Sequence, residues 1–157
     1  WDTITGCGQW SNQNQINYIA NIERIYDEWW GSTGGTAYDL VVDAILMSPA
    51  APTAGQAVTF SATIRNAGTA ATPTGTIHGI AFTVDGDGMT KTWSDSVSGS
   101  LQPGESRTQA ANGGVVTATW AATSGTHTVI AHVDDVNRMP NEISETNNTL
   151  SRTFTVP

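Results

Sequence analysis

The residues of this chain best suited to a specific chemistry are tryptophans. Trp93 and Trp120 fall within stretches of strand-like alternation, and Trp29 and Trp30 stand side by side near the start. A sugar ring presents a flat face of C–H groups to an indole and a rim of hydroxyls to amides and carboxylates, so open tryptophans beside such groups suit stacking on a polysaccharide. Met89, Lys91 and Trp93 recur at two-residue spacing, and a lysine does not face a core, so Trp93 shares the wetter side of its strand. It is the first stacking candidate, with partial packing as the alternative. Trp120 shares a side with Val116 and Ala118, which fits a core tryptophan, with stacking as the second reading.

A second chemistry is suggested by oxygen ligands. Asp134, Asp135, Asn137 and Glu145 lie in one Asn-rich hairpin with Glu142, Asn147 and Asn148, a composition able to wrap Ca²⁺. The fixed loop spacing of an EF-hand is missing, and the competing reading gives these side chains to turn backbone. The turn reading is the default, and structural calcium is the one cofactor the composition suggests. His127 and His132 are an odd number of positions apart on one strand, so they cannot share a metal, and His78 is in phase with Ile80, Phe82 and Val84 as a packing residue. A glycosidase needs two opposed carboxyls about 5.5 Å or 6.5–9.5 Å apart. The acids here sit mainly on turns, and no GxSxG, HExxH or phosphate-loop pattern occurs, so the chain is read as non-enzymatic.

Charge narrows the partners. With 14 acids against 6 bases, a net charge of -8 and bases scattered singly, nothing neutralises a phosphate backbone or an anionic membrane. No apolar run reaches the roughly 20 residues that span a bilayer, so the expectation is a soluble protein. Cys7 is the only cysteine, which excludes an internal disulfide. No secretion-signal pattern is visible, and a start at Trp1 reads as a mature end or an excised piece.

The elements that must position these groups fall into two parts. Residues 11–30 alternate at helical spacing, with Ile19, Ile22, Tyr26 and Trp29 on one side, an Asn12–Gln15 capping pair at one end and Gly31 at the other. A glycine-rich linker follows, so residues 1–37 are assigned to a helical segment plus linker, and 38–157 to a separate domain. Four of the 6 tryptophans precede that linker; the apolar stripe implies docking on another surface, and Trp29 with Trp30 offers a rival sugar platform.

Beyond Asp39 the period changes to two. Strands are expected near Leu40–Leu46, Val58–Arg65, Ile77–Val84, Met89–Trp93, Val115–Trp120, His127–Asp134 and Thr149–Val156, separated by turns such as Asn66-Ala67-Gly68, Asp85-Gly86-Asp87-Gly88 and Gln102-Pro103-Gly104. About seven short strands with frequent turns predict an all-β fold: an antiparallel Ig-like or fibronectin-like β-sandwich preceded by one short helical segment.

Five stretches then carry a family likeness: Asp39-Leu40-Val41-Val42; residues 54–70, which end in the Asn66-x-Gly68 turn; Val84-Asp85-Gly86; residues 101–106 with their Leu-x-Pro-Gly turn; and residues 127–148, which close on Glu145-Thr146-Asn147-Asn148. In this order and spacing they resemble the cell-adhesion-related domain of bacteria, CARDB. The resemblance covers about three quarters of the chain and implies an exported protein. It also implies an attached polysaccharide-degrading catalytic domain, for which this module binds the polysaccharide or acts as a spacer. The Trp-rich helical segment, Trp93 and Trp120 depart from simple members of the family and weigh against a pure spacer.

Overall fold

The computed structural model describes residues 37–157. The helical segment, its capping pair, Trp29 and Trp30 lie outside the described residues.

Among the described residues nine strands form in chain order: β1 (Leu40–Ser48), β2 (Ala57–Asn66), β3 (Ile80–Val84), β4 (Asp87–Ser94), β5 (Ser106–Ala110), β6 (Gly113–Gly114), β7 (Trp120–Ala121), β8 (Gly125–Val133) and β9 (Thr149–Val156). One sheet runs β1-β2-β5, with β7 paired to the first residues of β2; the other runs β6-β4-β3-β8-β9, and every pairing is antiparallel. The described part is an all-β, two-sheet sandwich of the expected class.

Alternation builds its core. Val58, Phe60, Ala62 and Ile64 of β2 face Ile80, Phe82 and Val84 of β3 and Val129, Ala131 and Val133 of β8, all buried. Phe60 stacks on Phe82 with ring centroids 6.0 Å apart. Strand β1 keeps Leu40 and Val42 inward, shifts register between Val42 and Ala44, and then buries Ile45 and Met47. Such a bulge re-aims the alternation by one residue, so an odd-even pattern inverts within one strand without exposing it.

Two expectations about strands fail, each for a physical reason. Val115–Trp120 is not a strand: its flanks pair briefly, as β6 on Thr92 and Trp93 and as β7 on Ala57 and Val58. The Thr117 hydroxyl donates to the Thr119 carbonyl and folds the middle into a bend, which leaves Val116 75% exposed. Conversely β5, with sequence SRTQA, has no apolar alternation and pairs all the same with Ser61–Arg65 of β2, because its ladder supplies what its side chains do not.

The turns hold the ends. Asp85 and Gly86 both have positive φ, 53° and 72°, and link β3 to β4 as the two-residue turn that matches strand twist. At the opposite end, the side chain of fully buried Asn66 accepts from the backbone N–H of Asp39 (3.1 Å) and Gly68 (3.0 Å) and donates to the carbonyls of Ala70 (2.7 Å) and Leu101 (3.0 Å). Gly68 is required there, since a Cβ would collide with the backbone of Ala37 and Tyr38.

Asn66→Ala strands two backbone N–H groups and two carbonyls in the interior, and is expected to cost about 3 kcal/mol or more of unfolding free energy in urea denaturation. A loss below about 1 kcal/mol would show that water replaces the amide.

Candidate functional site

Two concave features flank β4, whose outward residues are Met89, Lys91 and Trp93 and whose inward residues Thr92 and Ser94 are buried. On the outer face, the Trp93 indole is half-buried in a depression of about 190 Å³ shared with Lys91, Asp95, Asp135, Val136 and Arg138. The ring lies against Gly113 of β6, where any Cβ would collide with it. Two ion pairs border it: Lys91 Nζ lies 2.8 Å from Asp135, and Arg138 grips Asp95 through both guanidinium N–H groups. Trp93 thus lies on the expected wetter side, with part of its ring packed.

The other feature is a cleft of about 730 Å³ between the sheets, at the end that holds the β3–β4 turn. Trp120 borders it but is 7% exposed, its ring edge-on to Phe154 at 5.7 Å and to His127 at 4.9 Å. The core reading therefore describes Trp120, and no open face remains for stacking.

His127 clasps this end. Its Nδ1 lies 2.7 Å from an Asp85 carboxylate oxygen and its Nε2 lies 2.8 Å from the Thr123 carbonyl. Both neighbours are acceptors, so the protonated ring donates to each of them and the neutral ring can satisfy only one. The hydrogen bond to Asp85 raises the His127 pKa above its ordinary 6.5 and holds the Asp85 carboxyl below its ordinary 3.8. With both nitrogens engaged, His127 has no free base position and is a clasp, not a catalyst.

The acidic hairpin between β8 and β9 is committed to its own chain. The Asp134 carboxylate accepts the backbone N–H of Arg138 and Met139, each at 2.8 Å, and Asp134 and Asn137 take the left-handed turn conformation. Asp135 holds Lys91, and Glu145 accepts from the Asn148 amide at 3.0 Å. Glu142 accepts the N–H of Leu40 at 3.1 Å and a bond from Asn148, and burial pushes its pKa up to about 7. Asp39 binds Ser144 N–H and the Asn147 amide. Among the described residues no group of three or more His, Cys, Asp or Glu side chains is placed to hold a metal. The expected calcium set of Asp134, Asp135, Asn137 and Glu145 does not fit an ion, because its carboxylates are spent on backbone, a lysine and an amide.

His78 and His132 also fall where packing puts them. His78 is fully buried, its pKa pushed down to about 4 by desolvation first and the nearby Arg107 charge second, while His127 and His132 point to opposite faces of β8. Sequence reading missed the Asp85–His127 clasp, the Arg138–Asp95 pair and the Asp39–Asn147 bond, which join residues 42, 43 and 108 positions apart. Only the acidic or amide character of one partner was visible beforehand.

The family model for CARDB matches residues 37–152. The chain belongs to the CARDB family. CARDB domains are non-catalytic, Ig-like modules found in cell-surface proteins. The chain is similar to the CARDB domain of a Pyrococcus furiosus protein crystallised in complex with di-metal ions, with TM-score 0.54 and 20% identity over 77% of this chain and 90% of that one. A solution structure of that domain gives TM-score 0.51 at 20% identity over 76% and 95%. A domain from Methanosarcina acetivorans, described as a cell surface protein, gives TM-score 0.53 at 25% identity over 77% and 93%. None of the curated proteins matches the chain.

The clasp predicts a pH dependence. A raised histidine pKa stabilises the fold fully below 6.5 and is lost as pH rises through the folded value, whereas the lowered Asp85 pKa stabilises above 3.8 and is lost as pH falls through its folded value. Glu142 also lowers stability as pH rises, from 4.5 to about 7, and His78 raises it from about 4 to 6.5, so the clasp is isolated by difference. The stability gap between wild type and Asp85→Asn should be largest near pH 5–6 and shrink above the His127 midpoint, as read by urea unfolding and an imidazole NMR titration. A gap that grows toward pH 9 would contradict it.

For the CARDB hairpin, thermal unfolding midpoints in excess Ca²⁺ and in EDTA should coincide. A midpoint that falls on chelation would establish a resident ion.

Proposed function

We propose that this CARDB domain is a non-catalytic carbohydrate-binding module of an exported protein, which docks a polysaccharide on Trp93 and so holds an attached polysaccharide-degrading enzyme on its substrate. The observation that carries this reading is the Trp93 depression: an indole on an outer sheet face bordered by Lys91–Asp135 and Arg138–Asp95. A pyranose set against the indole brings C–H groups to the ring and hydroxyls to groups that both donate and accept. Because each charge is already paired, the side chains are held in place before the sugar arrives, which lowers the ordering cost of binding. Tethering then raises the local concentration of the enzyme at the polymer. Export is supported by the family and by the cell-surface neighbour.

A second reading, a structural or adhesive spacer without a glycan ligand, draws support from the burial of Trp120. It leaves Trp93 as the one described tryptophan with an open face.

Affinity electrophoresis through gels containing single polysaccharides separates the two. Wild-type protein should be retarded by at least one polymer, and Trp93→Ala should lose about tenfold or more of that affinity, since loss of a stacked base from an aromatic platform costs about 1–3 kcal/mol and a sugar face behaves comparably. Equal retardation of both proteins would remove Trp93 from the site, and no retardation by any polymer would favour the spacer.

A further inference from the structure

The intersheet cleft lies on the other side of β4 from Trp93 and at the opposite end of the sandwich from the Asn66 network. It opens because the chain between β6 and β7 bends away and leaves the edge of β4 remote from β3 without a strand partner over residues 87–91. At about 730 Å³ it falls within the range of small-molecule sites.

Its lining restricts what could enter. Met89, 65% exposed, and Val116, 75% exposed, form an apolar lip, while Thr90, Thr117, Thr119 and Thr123 supply hydroxyls around the wall. Asp85 and Asp87 add two acids. Among the described residues the basic side chains that line it are Lys91, bound to Asp135 at 2.8 Å, and His127, with both nitrogens engaged. An anion would meet two carboxylates and no free cation, so acidic sugars, sulfates and phosphates are disfavoured. A wholly apolar guest would take the Asp85 and Asp87 carboxylates out of water at the rim.

A second observation points inward. Thr92 lines the cleft, is 2% exposed, and its hydroxyl has no hydrogen-bond partner in the protein. Buried hydroxyls are rarely left unpaired, because desolvation is then uncompensated. Valine would fill this position with the same shape and no such cost, so a threonine here calls for a partner from outside the chain.

The geometry points to a second saccharide site: the cleft takes the terminal unit of a neutral glycan, its C–H face on the Met89–Val116 lip and a hydroxyl directed toward Thr92. This rests on the glycan-binding reading of the domain, but shares with the Trp93 face of β4 only Met89, at the lip, and Lys91, which borders both features. Two sites on either side of one strand would let the module hold a chain end as well as a chain length.

The test is NMR titration of the full chain with neutral hexasaccharides of β-1,4-linked glucose, mannose and N-acetylglucosamine, with oligogalacturonate as the acidic control. At least one neutral probe should shift the Trp120 indole N–H and the amides of Thr92 and Val116–Thr119, and should do so in Trp93→Ala as well. Oligogalacturonate should leave these signals unmoved. Thr92→Val should weaken this response at least fivefold without lowering the thermal midpoint, and Ala121→Arg, placed on an exposed lining position of β7, should block it. Shifts confined to the Trp93 face and abolished by Trp93→Ala would overturn the cleft site while leaving the proposed function intact. Shifts in the cleft alone would uphold the cleft site and remove Trp93 as the docking residue, and silence with all three neutral probes would overturn the cleft site.

Discussion

The sandwich depends on a buried amide. Asn66 ends β2, yet its side chain reaches the start of β1, the loop that follows it and the turn that precedes β5, while its backbone carbonyl accepts from Gly104 and its N–H donates to Glu105. Each of these chain segments carries backbone groups that no strand partner can take, and a buried amide with two donors and two acceptors satisfies them at once. The network extends outward: Ala37 accepts from Thr69 and Ala70, Asp39 accepts from Ser144 and Asn147, and Glu142 accepts from Leu40. Val84-Asp85-Gly86 aside, the motifs that mark the family are therefore neighbours in space, gathered where β1 begins. Their shared role is to close one end of the sandwich.

Closing that end leaves the other end available. There the chain spends fewer backbone pairs, β6 and β7 are two residues each, and a histidine clasp replaces an amide network. The clasp ties the β3–β4 turn to the β7–β8 connection across the mouth of the cleft, with Trp120 behind it. Rigidity at one end and an opening at the other is the usual division between scaffold and binding surface in sandwich domains. The acidic hairpin belongs to the rigid end, which is why its oxygens are taken.

The role of β4 follows from its two faces. Its outward residues hold an indole and a lysine, and its inward residues are a threonine and a serine instead of aliphatic side chains. Ser94 reaches Gln109 of β5, so the sheets meet here through hydroxyl and amide contacts where elsewhere they meet through phenyl rings. A polar seam inside a sandwich weakens the apolar seal locally and lets a cleft persist beside it.

Alternation in β2 and β8, the Asp85-Gly86 turn and the order of the motifs were legible in the chain, because a two-residue period and positive-φ turn chemistry are local and leave a direct trace in residue type. So was the side of β4 that carries Trp93. The bend at 115–119 and the strand at 106–110 were not, since backbone pairing with β2 and β4 decided them against side-chain pattern. Nor was the fate of the acids: a carboxylate in a sequence is equally a metal ligand or a turn cap, and only the folded chain places Arg138 and Met139 N–H groups against Asp134. Sequence by itself determined a sandwich and its family, because each strand's hydrophobic face is written in its own residues. Tertiary structure alone decided where the cleft formed and how Asp85 met His127, because both depend on contacts between segments far apart along the chain.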